Sequence, residues 1–313
     1  MTINWGMIGA DLEACRAAWA IREYGQGRIA AIWADPAGWG RALLALTAAR
    51  PTESPEKVLS HPSVTTVIIS GSLENSASLA ADAVACGKTA ILTLPLRIEP
   101  DEAALLDAQT DPAGHRVCAL VPSAFVAEWA HLKASLAAGT LGQIGTFRLG
   151  RLEEALGTGA PENLQTDVEA LMADLIAAAE ACAGPLLRLR VTPACPAPGR
   201  EYLLAAGKFE SGALVHLEAG LTEPARSQYF YFEVACAGGL TEFDSRIERE
   251  YVYCADGDTS PLQSAYARLA DAYAEALHAA ATGAAPAGLL AAAARASALA
   301  RPTIEGASQR PAE

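Results

Sequence analysis

The chain has 313 residues, is 51% hydrophobic and 19% charged, and carries a formal net charge of −13 with a pI near 4.9. That length suggests two domains or one large one, and an acidic charge spread along the chain argues against nucleic acid or an anionic membrane as partner. No apolar run reaches the roughly 18 residues a membrane helix needs, and Met1-Thr2-Ile3-Asn4-Trp5 lacks the basic start and apolar stretch of a signal peptide, so a cytoplasmic protein is expected.

The first half alternates strands and helices. A strand over residues 2–8 turns at Gly9 into a helix over 12–24, which stops at Gly25. A second apolar strand spans 28–34. Asp35-Pro36 then reads as an N-cap with proline in the first turn of a helix reaching Ala49. A helical turn at 55–60, a strand at 64–70, a helix at 75–87, a strand at 89–94, a helix at 100–109 and a strand at 116–121 follow. Continuous apolar strands separated by helices predict a parallel sheet covered on both faces, in the doubly wound Rossmann arrangement.

After about residue 122 the texture changes, which divides the chain into an N-terminal domain at 1–122 and a C-terminal one at 123–313. A helix is expected at 123–138, a strand at 144–150 and an alanine-rich helix at 166–182. Strands at 186–192, 201–206, 212–219, 229–236, 239–243 and 249–254 have no helix between them, so they predict an open, mostly antiparallel sheet with one covered face. In Tyr229-Phe230-Tyr231-Phe232-Glu233-Val234 the tyrosines and glutamate share one face, the phenylalanines and valine the other. An aromatic outer face suits a partner sheet, so homodimerisation through this sheet is expected. Tyr202, Glu218 and Arg148 are candidates to project toward the N-terminal domain. Helices at 263–281 and 286–300 and a frayed polar tail at 307–313 close the chain.

The seven cysteines form no CxxC pair, and most sit in apolar stretches, so reduced, buried thiols are expected. None of the five histidines pairs with a cysteine or carboxylate at metal-ligand spacing, so no metal is expected. No nucleophile elbow or phosphate-binding P-loop occurs.

Several segments carry a resemblance that runs nearly end to end. His61-Pro62-Ser63-Val64-Thr65-Thr66-Val67-Ile68-Ile69, Ala85-Cys86-Gly87-Lys88-Thr89-Ala90-Ile91-Leu92, Gly139-Thr140-Leu141-Gly142-Gln143-Ile144-Gly145 and Phe209-Glu210-Ser211-Gly212-Ala213 resemble, in order and spacing, segments of the Gfo/Idh/MocA oxidoreductases. The resemblance implies NAD(P)-dependent chemistry on sugars, polyols and related molecules. It would set the cofactor against Gly9, Asp11, Leu12, Asp35, Ser70, Ser72 and Pro95, with Asp35 at the ribose position that favours NAD over NADP.

The chemistry-bearing positions depart from that pattern. In the three-glycine fingerprint Gly9 and Ala14 are acceptable, but Asp11 stands where the second glycine lets backbone approach the pyrophosphate. Asp11 is also a good N-cap, and would put the protein's own anion where phosphates bind. The family's Glu-Lys-Pro triplet reads Thr93-Leu94-Pro95, so its lysine is Leu94. The histidine after the third strand is Ser76, and the Gly-x-His-x-x-Asp motif reads Glu169-Ala170-Leu171-Met172-Ala173-Asp174, so its proton-shuttling histidine is Leu171. Asp174 alone remains as a catalytic candidate, or is a solvent-facing helix residue.

Three readings follow. The first is a catalytically degenerate homologue that serves as a binding or dimerisation module, as a homodimer or beside an active paralogue. The second is an active NAD(P)-dependent oxidoreductase for a sugar-, polyol- or imine-like substrate with atypical catalytic residues. The third is an enzyme that uses the same cleft without a dinucleotide. Changes at Asp11, Leu94 and Leu171 together favour the first.

Overall fold

The computed structural model describes residues 3–47, 49–109, 114–154, 164–197, 200–222, 229–245, 249–254, 259–262, 269–286 and 288–302. Its N-terminal part is a five-stranded parallel sheet. The strands are β1 (Asn4–Ile8), β2 (Arg28–Trp33), β3 (Thr66–Ile69), β4 (Thr89–Leu92) and β5 (Val117–Ala119), in the order β2-β1-β3-β4-β5. Every residue of β3, β4 and β5 is buried, which explains their unbroken apolar runs: helices cover both faces. Those helices are α1 (Leu12–Glu23), α2 (Gly38–Thr47), α3 (Pro55–Leu59), α4 (Ser76–Ala85) and α5 (Pro100–Asp107).

The C-terminal part is built on an eight-stranded sheet. After a 3₁₀ turn (Pro122–Phe125) and α6 (Ala127–Ala137) come β6 (Ile144–Glu154) and α7 (Leu164–Ala183). The sheet continues with β7 (Leu186–Ala197), β8 (Arg200–Phe209), β9 (Leu214–Thr222), β10 (Tyr229–Cys236), β11 (Gly239–Asp244), β12 (Arg249–Cys254) and β13 (Thr259–Leu262). Its order is β13-β12-β11-β10-β6-β9-β8-β7, antiparallel except for the parallel β6–β9 pair. α7 crosses one face and buries Leu171, Met172, Leu175 and Ile176 completely. Beside it, Trp129 of α6 stacks on Phe147 and Phe232 at centroid distances of 5.8 and 4.7 Å.

The opposite face alternates as expected. Phe230, Phe232 and Val234 are buried, whereas Tyr231 and Glu233 are partly exposed. The Tyr231 ring covers Gly150, where a Cβ would sit 1.9 Å from a ring carbon. Arg148 Nη1 reaches Glu233 at 3.2 Å, and the Tyr231 hydroxyl donates to Glu218 at 3.1 Å. Arg148 and Glu218 therefore lie on the outer face, and so does Tyr202, by strand alternation from buried Leu203. The period-2 pattern gives two faces but not which one meets the rest of the molecule, so the expectation that these three point toward the N-terminal domain is corrected.

α8 (Leu269–Thr282) packs on α1 and on the 3₁₀ turn, and α9 (Leu289–Ala300) packs on α5, α7 and β5. The last helices therefore return to the first sheet. The expected helix start at 263 and the polar tail at 307–313 lie outside the described residues. The helix expected at 123–138 breaks at Val126, which is extended (φ −61°, ψ 129°). No helix among the described residues is long and apolar enough to cross a membrane.

Candidate functional site

The carboxyl ends of β1, β3 and β4 converge where a doubly wound sheet normally opens a ligand crevice. Gly9 makes the turn out of β1 with φ +79°. A Cβ there would sit 2.7 Å from Ser70 Cβ and 2.8 Å from Leu73 Cδ1, so only glycine fits. Two residues on, Asp11 is the N-cap of α1, and its Oδ1 accepts from Ala14 N–H at 2.7 Å. Its Oδ2 accepts from the Ser70 hydroxyl and, at 2.7 Å, from the Thr93 hydroxyl. Ser72 Oγ lies 2.9 Å from Ser70 Oγ. The Asp11 carboxyl thus ties β1, β3 and β4 together, and burial pushes its pKa up despite three donors.

The first turn of α1 is closed over. Asp11, Leu12, Glu13, Ala14 and Cys15 are between 1% and 6% exposed. Glu13 accepts from the Tyr273 hydroxyl of α8 and from Arg16 at 2.8 Å. Arg16 also pairs with Glu153 of β6. At the centre lies Arg151 of β6, 0% exposed. It donates to Glu153, to Asp174 of α7 and, at 2.8 Å, to the Tyr273 hydroxyl, and it stands 3.6 Å from Glu13. Three carboxylates and two guanidiniums therefore form one buried network joining α1, β6, α7 and α8. Burial opposes the Arg151 charge, but Glu153, Tyr273, Glu13 and Asp174 outweigh it and hold its pKa well above the ordinary value.

Asp174 has no solvent-facing side. It accepts from Ser123 N–H at 3.1 Å, from the Ser123 hydroxyl and from Arg151, and it is 0% exposed. Burial raises its pKa to about 6, although Arg151 pulls the other way. The reading of Asp174 as a solvent-facing helix residue is therefore corrected. Nearby, Trp39 of α2 is buried, donates its indole N–H to Asp167 Oδ2 at 3.1 Å, and accepts at its carbonyl from the Cys15 thiol at 3.6 Å. Burial, with Asp11 next in importance, raises the Asp167 pKa to about 7.

The remaining sequence candidates are placed as follows. Leu94 and Leu171 are both 0% exposed members of the core. Pro95 follows Leu94 through a cis bond, and the next residue, Leu96, donates its N–H to Ser297 of α9 at 2.9 Å. Ser76 is buried at the start of α4, and its hydroxyl reaches Gly71 O at 3.4 Å. Asp35 is exposed and accepts from Ala37 N–H at 2.9 Å. It closes a tight turn two residues long, and α2 begins only at Gly38, so the Asp35-Pro36 helix start is corrected. Among the cysteines, Cys15 and Cys118 are buried, Cys182 and Cys236 partly buried, and Cys86 exposed, where the chain passes from α4 to β4. No group of three or more His, Cys, Asp or Glu capable of holding a metal occurs among the described residues.

A dinucleotide's pyrophosphate needs free N–H groups and room at the α1 N-terminus. Here Asp11 takes Ala14 N–H, and Glu13 and Asp167 add further carboxylates beside it. The turn is also buried against β6 and α8, so the residues present do not fit that group.

No protein-family model matches the sequence, and no curated protein sequence does. Solved structures do match nearly the whole chain. Biliverdin reductase from Synechocystis sp. PCC 6803, in complex with biliverdin and NADP+, is 15% identical over 96% of this chain and 97% of its own, with a TM-score of 0.69. Levoglucosan dehydrogenase in complex with NADH and L-sorbose is 18% identical over 95% and 94%, TM-score 0.70. UDP-N-acetylglucosamine 3-dehydrogenase from Acidithiobacillus ferrooxidans is 16% identical over 96% of each chain, TM-score 0.70. The chain has the Gfo/Idh/MocA fold. The expected resemblance and the expected α/β fold class both hold at that level. The neighbours' names include both NADP+ and NADH, so they lend the NAD preference drawn from Asp35 no support.

Sequence reasoning missed Arg16, Trp39, Arg151, Glu153, Asp167 and Tyr273. One signal was present. In β6 the covered-face positions read Phe147, Leu149, Arg151, Glu153, which places two charges on the register of two buried apolar residues.

Proposed function

We propose that this chain is a divergent Gfo/Idh/MocA homologue whose dinucleotide crevice is filled by its own side chains, and that it serves as a non-catalytic binding or dimerisation module. The observation that carries this reading is the burial of the whole first turn of α1, from Asp11 to Cys15, where Asp11 is bonded to Ala14, Ser70 and Thr93 and Glu13 and Asp174 belong to the Arg151 network. Two positions that would need acid–base groups are core leucines, Leu94 and Leu171. Leucine neither donates nor accepts a proton, so general acid–base help from those places is absent. The outer face of the eight-stranded sheet, with Tyr231 over Gly150 and paired Arg148 and Glu233, supports a homodimer through that sheet. An active paralogue sharing the fold is the other partner this surface suits, and the acidic composition fits a cytoplasmic setting.

The second reading, an active NAD(P)-dependent oxidoreductase, is favoured by the NADP+ and NADH named with the structural neighbours. Titration with all four nicotinamide dinucleotides, followed by thermal shift, separates the two. A ligand at 100 times its dissociation constant stabilises by about 2.7 kcal/mol. The degenerate reading expects no shift at millimolar cofactor, and saturable micromolar binding contradicts it.

A further inference from the structure

A cavity of about 380 Å³ lies between the 3₁₀ turn, α6, the C-terminal end of α7 and the N-terminal end of α9. Its size falls in the roughly 300–1,000 Å³ range of small-molecule pockets. Phe125, Leu289 and Ala292 give it apolar walls, and Glu180, Lys133 and Arg295 supply its charges.

Glu180 is the informative member. Its side chain is only 8% exposed. Oε1 is used, accepting from Leu186 N–H at 3.0 Å. Oε2 is buried without a hydrogen-bond partner. The nearby cation, Arg295 Nη2, stands 3.7 Å away on a side chain that is half exposed, too far for a hydrogen bond. Buried carboxylate oxygens are ordinarily hydrogen-bonded, so this one, ion-paired with Arg295 but given no hydrogen bond, has acceptor capacity left. The exposed Lys133 and Arg295 are cations able to meet an anion. An ammonium for Glu180, a carboxylate for Lys133 and Arg295, and an apolar body for the walls describe one ligand class.

We propose that this cavity binds an α-amino acid with an apolar side chain. The site shares no residue with the filled dinucleotide crevice, so it stands or falls independently of the reading above.

The test is calorimetric titration of the full chain with L-leucine and L-phenylalanine, alongside 4-methylpentanoate, which lacks the amine, and 3-methylbutylamine, which lacks the carboxylate. Saturable binding of an amino acid in the millimolar range or tighter is expected, with each truncated probe at least about tenfold weaker, since each forgoes the charge-assisted hydrogen bonds of one end. Glu180→Gln keeps a carbonyl oxygen for Leu186 N–H but puts an amide NH₂ in place of Oε2. It should fold, as far-UV circular dichroism will register, and bind the amino acids at least about tenfold more weakly. Lys133→Ala, at an exposed position, checks the carboxylate end and should weaken the amino acids without weakening 3-methylbutylamine. No saturable binding of either amino acid to the wild-type protein overturns the proposal. So does unchanged amino-acid affinity in folded Glu180→Gln, or equal binding of 4-methylpentanoate.

Discussion

Asp167→Asn isolates one buried acid from its charge. Asp167 accepts from the Trp39 indole N–H, and asparagine's carbonyl oxygen can keep that bond. Burial raises the Asp167 pKa from 3.8 to about 7 in the folded protein. The unfolded chain therefore loses this proton near pH 4, whereas the folded chain holds it to about pH 7. Between those values the folded state binds more protons, so stability is highest at low pH and falls as pH rises through the window. Three units correspond to about 4 kcal/mol at 1.36 kcal/mol per unit, fully felt by pH 8 and about 2 kcal/mol at pH 5. The substituted asparagine is neutral throughout. The variant should therefore be more stable than wild type by up to about 4 kcal/mol at pH 8 and by roughly half that at pH 5. Urea denaturation at several pH values measures both curves. Asp174, also raised, to about 6, leaves the variant a slope of the same sign over a lower window. Parallel wild-type and variant curves, or a variant less stable at pH 8, would mean that Asp167 does not hold a proton in the folded state at neutral pH.

Arg151→Ala should destabilise by about 3–5 kcal/mol in the same assay, because it leaves Glu13, Glu153 and Asp174 buried without their central cation; a loss under about 1 kcal/mol would mean that the network is not closed in solution. Asp11→Gly removes a cap worth about 1 kcal/mol and the acceptor of Ser70 and Thr93, so it should lower stability while raising affinity for dinucleotides. Light scattering at micromolar concentration should report a dimer, and Leu204→Glu, at an outer-face position that is 39% exposed, should give a folded monomer; a monomeric wild type contradicts the sheet-mediated dimer.

What could be read from the sequence was what depends on local pattern. The runs Val67-Ile68-Ile69 and Ala90-Ile91-Leu92 are apolar at every position because both faces of their strands are covered, and that is visible in one line of sequence. β10 and β12 were legible to the residue because period-2 alternation ends there in glycine or turn residues. β13, Thr-Ser-Pro-Leu, was not, since four residues with a proline carry no period. Asp11 was legible as a helix cap because capping is local. Its bonds to Ser70 and Thr93 were not, because they depend on which strand ends the sheet order brings together. The same holds for Arg151, whose partners Asp174 and Tyr273 are 23 and 122 positions away. A charge inside an apolar register says that a partner exists without saying where. Trp39 and Asp167, 128 positions apart, have no local signal at all.

If the first turn of α1 is closed by the protein's own side chains, NADH and NADPH have no place to bind there, and a thermal-shift titration of the wild-type chain with both measures this. The buried Asp11–Cys15 turn predicts an unchanged melting temperature at millimolar concentrations of either cofactor. A saturable rise, which corresponds to about 2.7 kcal/mol at 100 times the dissociation constant, would show that the crevice opens to a dinucleotide and is not filled.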